Sequence, residues 1–194
     1  MKKAGSFKKI SLSAIAALLI LVSSGYAYAA VSANDRAEGE HSAAARNTAE
    51  ANRIIDAANQ LFIQTDERNW PQVKLSFAEK VLFDMSSAGG GEPAMVTPRH
   101  IVDGWEAGLA PMKAIHHQIG NYRVDVRGNE ADLFCYGIAY HYLPNESGKN
   151  TRTFVGSYNL HFIKVSDSWK IDKFKFNLKF IDGNAELGVE KPAQ

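Results

Sequence analysis

The sequence predicts an α+β domain in which N-terminal helices pack on the concave face of a curved, mostly antiparallel sheet. Three observations predict it. Ile54, Ile55, Ala58, Leu61 and Phe62 recur at helical spacing, and from Ala114 the apolar period falls to two. The later apolar runs are joined by short polar connections, which make consecutive strands antiparallel neighbours. Helices first and a long strand meander afterwards give an α+β layer arrangement rather than an alternating one.

Taken in order, an amphipathic helix is expected from about Ala49 to Thr65, with Asp66 at its end. Trp70-Pro71 starts a short second helical turn, and Val81-Leu82-Phe83-Asp84-Met85 reads as a first strand. Ser86 to Pro93 contains three consecutive glycines and is expected to be a mobile loop. Thr97-Pro98 supplies a capping hydroxyl and a first-turn proline, and Ile101, Val102, Trp105 and Leu109 form the apolar face of the helix that follows. Four long strands are then predicted at His116–Val126, Ala131–Leu143, Thr151–Val165 and Ser168–Phe180. No internal repeat and no second domain are evident. The single domain is placed at residues 49–182, with 183–194 as a C-terminal tail.

Residues 1–29 read as a secretory leader. Lys2, Lys3, Lys8 and Lys9 precede an apolar run from Ile10 to Val22, and Ala27-Tyr28-Ala29 has the small residues a signal peptidase requires. The run is shorter than the ~20 residues needed to cross a bilayer. A cleaved leader and a periplasmic or secreted bacterial protein, without a stable membrane span, are therefore expected. Residues 30–48 hold almost no large apolar side chain and read as a flexible or loosely helical tether.

Composition narrows the function. The chain has 194 residues, 45% of them hydrophobic and 22% charged, with a formal net charge of +1. Loss of the leader lysines leaves the remainder mildly acidic, so no electrostatic footprint for nucleic acid is present. One cysteine, Cys135, excludes an intramolecular disulfide and a cysteine-based zinc site, and is expected to be a buried small apolar residue. No P-loop, dinucleotide-binding or HExxH pattern occurs. A small-molecule ligand or substrate is the expected partner.

Strand alternation sorts the candidates by face. Leu133, Cys135, Gly137, Ala139 and His141 share one face, the floor of a cavity if that face is the concave one. Ser157, Asn159 and His161 share a face of the next strand. His116 and His117 are adjacent on a strand and point to opposite sides. A loop closing symmetrically near Ser147 would set His141 opposite a residue near Phe154.

The helix ending in TDERNW, the strand HHQIGNYRV, the run EADLFCYGIAYHY and the final YNLHFIK…WKI resemble, in order and spacing, the SnoaL-like branch of the nuclear transport factor 2-like superfamily. The resemblance covers about Ile54 to Phe180 and implies a cone-shaped fold enclosing a pocket, a cofactor-free site, and a homodimer paired through the outer sheet surface. The catalytic pattern is similar to that of scytalone dehydratase, a fungal enzyme that eliminates water from a cyclic hydroxyketone. The resemblance implies catalytic roles for Asp66, His117 and His141 and substrate binding by Ser157 and Asn159. Thr65 and Met85 stand where that enzyme has two tyrosines.

The residue types support an acid–base site on their own terms. A carboxylate against an imidazole fixes its tautomer and raises its basicity, as proton abstraction beside a carbonyl requires. Asp66 is expected beside His141, with His117 as the acid that protonates a leaving hydroxyl. The plain structural alternatives are a helix-capping aspartate and two core histidines bonded to backbone carbonyls. Three functions remain open: a lyase or isomerase acting on a small cyclic or polyketide-like compound, a non-catalytic binder with the same pocket, and a metal site built from His117, His141, His161 and Asp66. The donor types of the third suit zinc or iron, but their spacing matches no metal motif, so the expected site holds no metal.

Overall fold

The computed structural model describes residues 40–42 and 44–188. The leader assigned to 1–29, the first part of the tether and the end of the C-terminal tail lie outside the described residues. The chain divides into two compact units, Met1–Asn47 and Thr48–Gln194. In the first, residues 40–42 and 44–47 are helical.

In the second unit, helix α1 covers residues 48–66. It buries Ile54, Ala58, Leu61 and Phe62, the stripe expected from its spacing, each worth about 1.5–3 kcal/mol for the large side chains. The helix closes at Arg68, whose φ of 56° is left-handed, and the Asn69 N–H returns to the Gln64 carbonyl at 2.8 Å. α2 (Trp70–Leu75) follows, with proline in its first turn. α3 (Pro98–Leu109) is capped by Thr97, whose hydroxyl accepts the His100 N–H at 3.3 Å, and it buries Ile101 and Val102.

The strands are β1 (Phe77–Asp84), β2 (Ala94–Val96), β3 (Ala114–Arg127), β4 (Glu130–Tyr142), β5 (Thr151–Val165) and β6 (Ser168–Gly183). They form one sheet in the order β2-β1-β6-β5-β4-β3. The meander β3 to β6 is antiparallel throughout, and β1 joins β6 in parallel. The inner face carries Leu133, Cys135, Leu160, Phe162, Ile171 and Phe174, all essentially buried against α1 and α3. Among the described residues no helix is long and apolar enough to cross a membrane.

Three departures from expectation matter. The Ser86–Pro93 segment is pinned at its start rather than mobile. Ser86 donates to Asp84 through its N–H and its hydroxyl, and the Ser87 hydroxyl donates to the Phe176 carbonyl at 2.6 Å and accepts the Leu178 N–H at 2.9 Å. Beyond it lies β2, a three-residue strand too short to show a period in sequence. The tail expected from 183 is packed as far as Leu187, which is 2% exposed and lies against Met112 and Ile115.

Candidate active site

The end of α1 meets the edge of the sheet at β3. An edge strand leaves backbone donors without a ladder partner. Asp66 takes one of them: its Oδ2 accepts the His117 N–H at 2.7 Å, while its Oδ1 accepts the His117 Nδ1–H at 2.5 Å. A carboxylate at a helix C-terminus faces the negative end of the helix dipole, so Asp66 does not serve the helix. Nor does it cap α2, whose N-cap is Asn69. The bond at Nδ1 fixes the tautomer of His117 and leaves Nε2 as the acceptor.

Pairing then places the other groups. His117 lies opposite Ala139, and Ile115 opposite His141, so His117 and His141 are diagonal neighbours on the inner face. His141 lies opposite Arg152 on β5, two residues from the position near Phe154 that symmetric closure predicts. His117, His141 and Arg152 all line a cavity of about 270 Å³ whose walls are mostly aromatic: Phe62, Trp105, Phe154, Tyr158, Phe174 and Phe176. Phe62 packs on the His117 ring with centroids 5.2 Å apart and on Tyr158 at 4.7 Å. Gly137 is required under Tyr158, because a Cβ there would stand 2.2 Å from the Tyr158 ring.

His141 and Arg152 act on each other. An arginine can only donate, so the 3.3 Å contact from Arg152 Nη2 makes His141 Nδ1 the acceptor and puts the imidazole proton on Nε2. Burial and then the charge of Arg152 push His141 down to about 4, so it is neutral near pH 7. Its Nε2–H is a donor with no protein partner among the described residues. The cavity is thus lined by one imidazole held by a carboxylate, His117, and by a donor pair, His141 and Arg152.

The expected residues are sorted by this geometry. Asp66, His117 and His141 come together, but Asp66 pairs with His117 and not with His141. His116 is mostly exposed, with Nδ1 3.7 Å from the second oxygen of Asp66. Ser157 and Asn159 do not reach the cavity. They pair with Tyr136 and Phe134, whose side chains face outward, while the inward residues of β5 are Phe154, Tyr158, Leu160 and Phe162. Asn159 lines a separate groove on the outer face and accepts the Asn177 Nδ2–H at 2.8 Å. The suggested metal set is split the same way, because His161 faces outward against Asp172 at 2.5 Å. Among the described residues no group of three or more His, Cys, Asp or Glu is arranged to hold a metal ion.

Two cavity residues that carry polar groups escaped the sequence reading, Arg152 and Tyr158. The signal that finds them is the alternation of β5 itself. Tyr158, Leu160 and Phe162 form its apolar and therefore inward face, which leaves Ser157, Asn159 and His161 outside. Thr65 and Met85 also line the cavity, and the Thr65 hydroxyl donates to the Leu61 carbonyl at 2.8 Å.

Comparisons with known proteins agree with this architecture. The family described as SnoaL-like domain matches residues 46–175. By sequence no curated protein matches. Kfla4162 from Kribbella flavida superposes with a TM-score of 0.64 at 19% identity, over 67% of this chain and 90% of that one. A provisionally assigned scytalone dehydratase from Novosphingobium aromaticivorans gives a TM-score of 0.63 at 16% identity, over 76% and 97%. The hexachlorocyclohexane dehydrochlorinase LinA-type3 from Novosphingobium barchaimii gives 0.60 at 15% identity, over 75% and 97%. The fold they share with this chain is the nuclear transport factor 2-like one, helices on a curved open sheet.

Proposed function

The chain belongs to the SnoaL-like domain family, and from that premise we propose that it is an exported, cofactor-free lyase or isomerase acting on a small cyclic compound by acid–base chemistry. The observation that carries this reading is the Asp66–His117 pair, whose imidazole lines an aromatic cavity together with His141 and Arg152 and has no protein partner at Nε2 among the described residues. His117 Nε2 removes a proton from a carbon beside the substrate carbonyl, and Asp66 stabilises the imidazolium that forms. The charge developing on the carbonyl oxygen is met by the His141 Nε2–H, with Arg152 behind it. In a dehydration the imidazolium returns its proton to the departing hydroxyl, so a C–H and a C–O bond break and a C=C bond and water form. In an isomerisation the proton returns to a different carbon.

Purified protein incubated with a panel of cyclic β-hydroxyketones is expected to form the enone and water from at least one of them. Turnover that survives His117→Gln undiminished overturns the reading. A non-catalytic binder with the same pocket has one observation in its favour: the Thr65 hydroxyl is spent on the Leu61 carbonyl and Met85 has no proton to give, so neither can polarise a carbonyl. Tight binding without turnover across the panel supports that second reading. Exposed Tyr136, Tyr140 and Phe180 on the outer face favour a homodimer through that face, which sedimentation of the purified protein tests. Export is tested by the N-terminal residue of the mature protein, expected to be Ala30.

A further inference from the structure

Among the described residues Arg152 is a cation without an anion. Its Nη1–H donates to the Ala185 carbonyl at 3.3 Å and its Nη2–H to His141 Nδ1 at 3.3 Å, and both acceptors are neutral. A guanidinium has five N–H donors, and the remaining ones have no acceptor among the described residues. The Nε–H is buried and unpartnered. The side chain is held in place by the Phe154 ring, 5.1 Å from the guanidinium carbon, as well as by those two bonds. Two cations of the outer face are paired with carboxylates instead: Lys175 meets Asp84 at 2.9 Å, and Arg127 is bound by both Asp125 and Asp132.

We propose that the Arg152 guanidinium is a preformed site for a carboxylate carried by the substrate, attached to a small, flat, largely apolar ring. The inference rests on the cavity being the substrate site, as proposed above, but not on the chemistry carried out there. Four features support it. Arginine cannot shed its proton when desolvated, so the charge is present before any ligand arrives, whereas a donor needed only for a developing oxyanion could be neutral. Unused N–H groups in a rigid fork match a carboxylate geometrically. The cavity of about 270 Å³ lies near the lower limit of ~300 Å³ for ligand pockets, which suits one ring or two small ones. Its aromatic walls offer flat faces to that ring and no second cation or carboxylate to compete. The guanidinium enters from β5 and the base from β3, with β4 between them, so the carboxylate and the acidic C–H belong to different ends of the ligand.

The test uses benzoate and its neutral isostere benzamide, titrated calorimetrically into the purified chain at pH 7. Benzoate is expected to bind at least about tenfold more tightly than benzamide. Arg152→Gln is expected to abolish that preference, Arg152→Lys to retain part of it, and Asn159→Ala on the outer face to leave it intact; melting temperatures establish that each variant is folded. Equal affinity for the two probes, no benzoate binding at millimolar concentration, or a preference that persists in folded Arg152→Gln overturns the proposal. Those results leave the acid–base reading standing. Turnover that survives His117→Gln overturns that reading and leaves the carboxylate site standing.

Discussion

Among the described residues, two histidine–aspartate pairs of the same length lie on opposite faces of one sheet. His117 Nδ1 lies 2.5 Å from Asp66 on the inner face, and His161 Nδ1 lies 2.5 Å from Asp172 on the outer face. The two imidazoles are almost equally covered, at 11% and 12% exposure. They differ in what their second nitrogen meets. His161 Nε2 is 3.8 Å from a second carboxylate, Glu130, and lines a groove where Asp84 and Lys175 are also paired. His117 Nε2 faces an aromatic cavity with an unpaired guanidinium across from it. A short His–Asp contact therefore does not by itself identify a base. The free nitrogen and its surroundings do.

The strongest way to break this comparison is to remove each histidine. His117→Ala is expected to lower turnover by about 10²–10⁴-fold, the usual contribution of a general base, whereas His161→Ala should leave it nearly unchanged. Comparable losses from both would sink the distinction. Exchanging the carboxylates is the next step down. Asp66→Asn is expected to reduce turnover by about 10–100-fold, since it loosens the hold on the His117 ring, while Asp172→Asn lowers only the melting temperature.

The two faces also have different acid sensitivities. His141 is pushed down to about 4 by burial and by Arg152, while in the unfolded chain it titrates near its ordinary value of 6.5. Between those values the unfolded chain binds a proton that the folded one does not, so stability is present above pH 6.5 and is lost as the pH falls toward 4. Asp84 on the outer side, held by Ser86 and then by Lys175, is pushed from 3.8 to about 2, and its contribution is lost only as the pH falls from 3.8 toward 2. Melting curves from pH 7 to pH 5 should therefore fall in the parent protein and flatten in His141→Phe, with Asp84→Asn unchanged over that range. The smallest expected effect is at the outward residues of β5. Ser157→Ala and Asn159→Ala should leave turnover within about twofold, the scale of a 0.5 kcal/mol surface change. A tenfold loss from either would mean that the outer face takes part in the reaction.

Legibility in the sequence followed the length of each pattern. β5 has the boundaries read from alternation, and α1 and α3 present the apolar stripes read from spacing, because these elements repeat their period several times. β2 went unread because three residues carry no period. The Ser86–Pro93 segment looked mobile because its glycines are local, whereas the Ser87 bonds that pin it join residues about ninety positions apart. At the site, Asp66, His117 and His141 were placed by family resemblance, and their residue types were compatible with acid–base work. Ser157 and Asn159 were placed by family resemblance against the alternation of their own strand. A one-residue offset on a strand exchanges inside for outside, and here it exchanged those two for Tyr158.

Sequence by itself determined the fold class, the faces of the long elements, the burial of Cys135 and the set of groups able to move a proton. These follow from periodicity and residue chemistry, which are local. Only the tertiary structure decided that Asp66 binds His117 rather than His141, that Arg152 stands beside His141, and that His161 is excluded from the cavity. Each of those outcomes depends on strand register and on where the end of α1 meets the edge of β3. Register is set by packing across the whole sheet, so no single segment of the chain contains it.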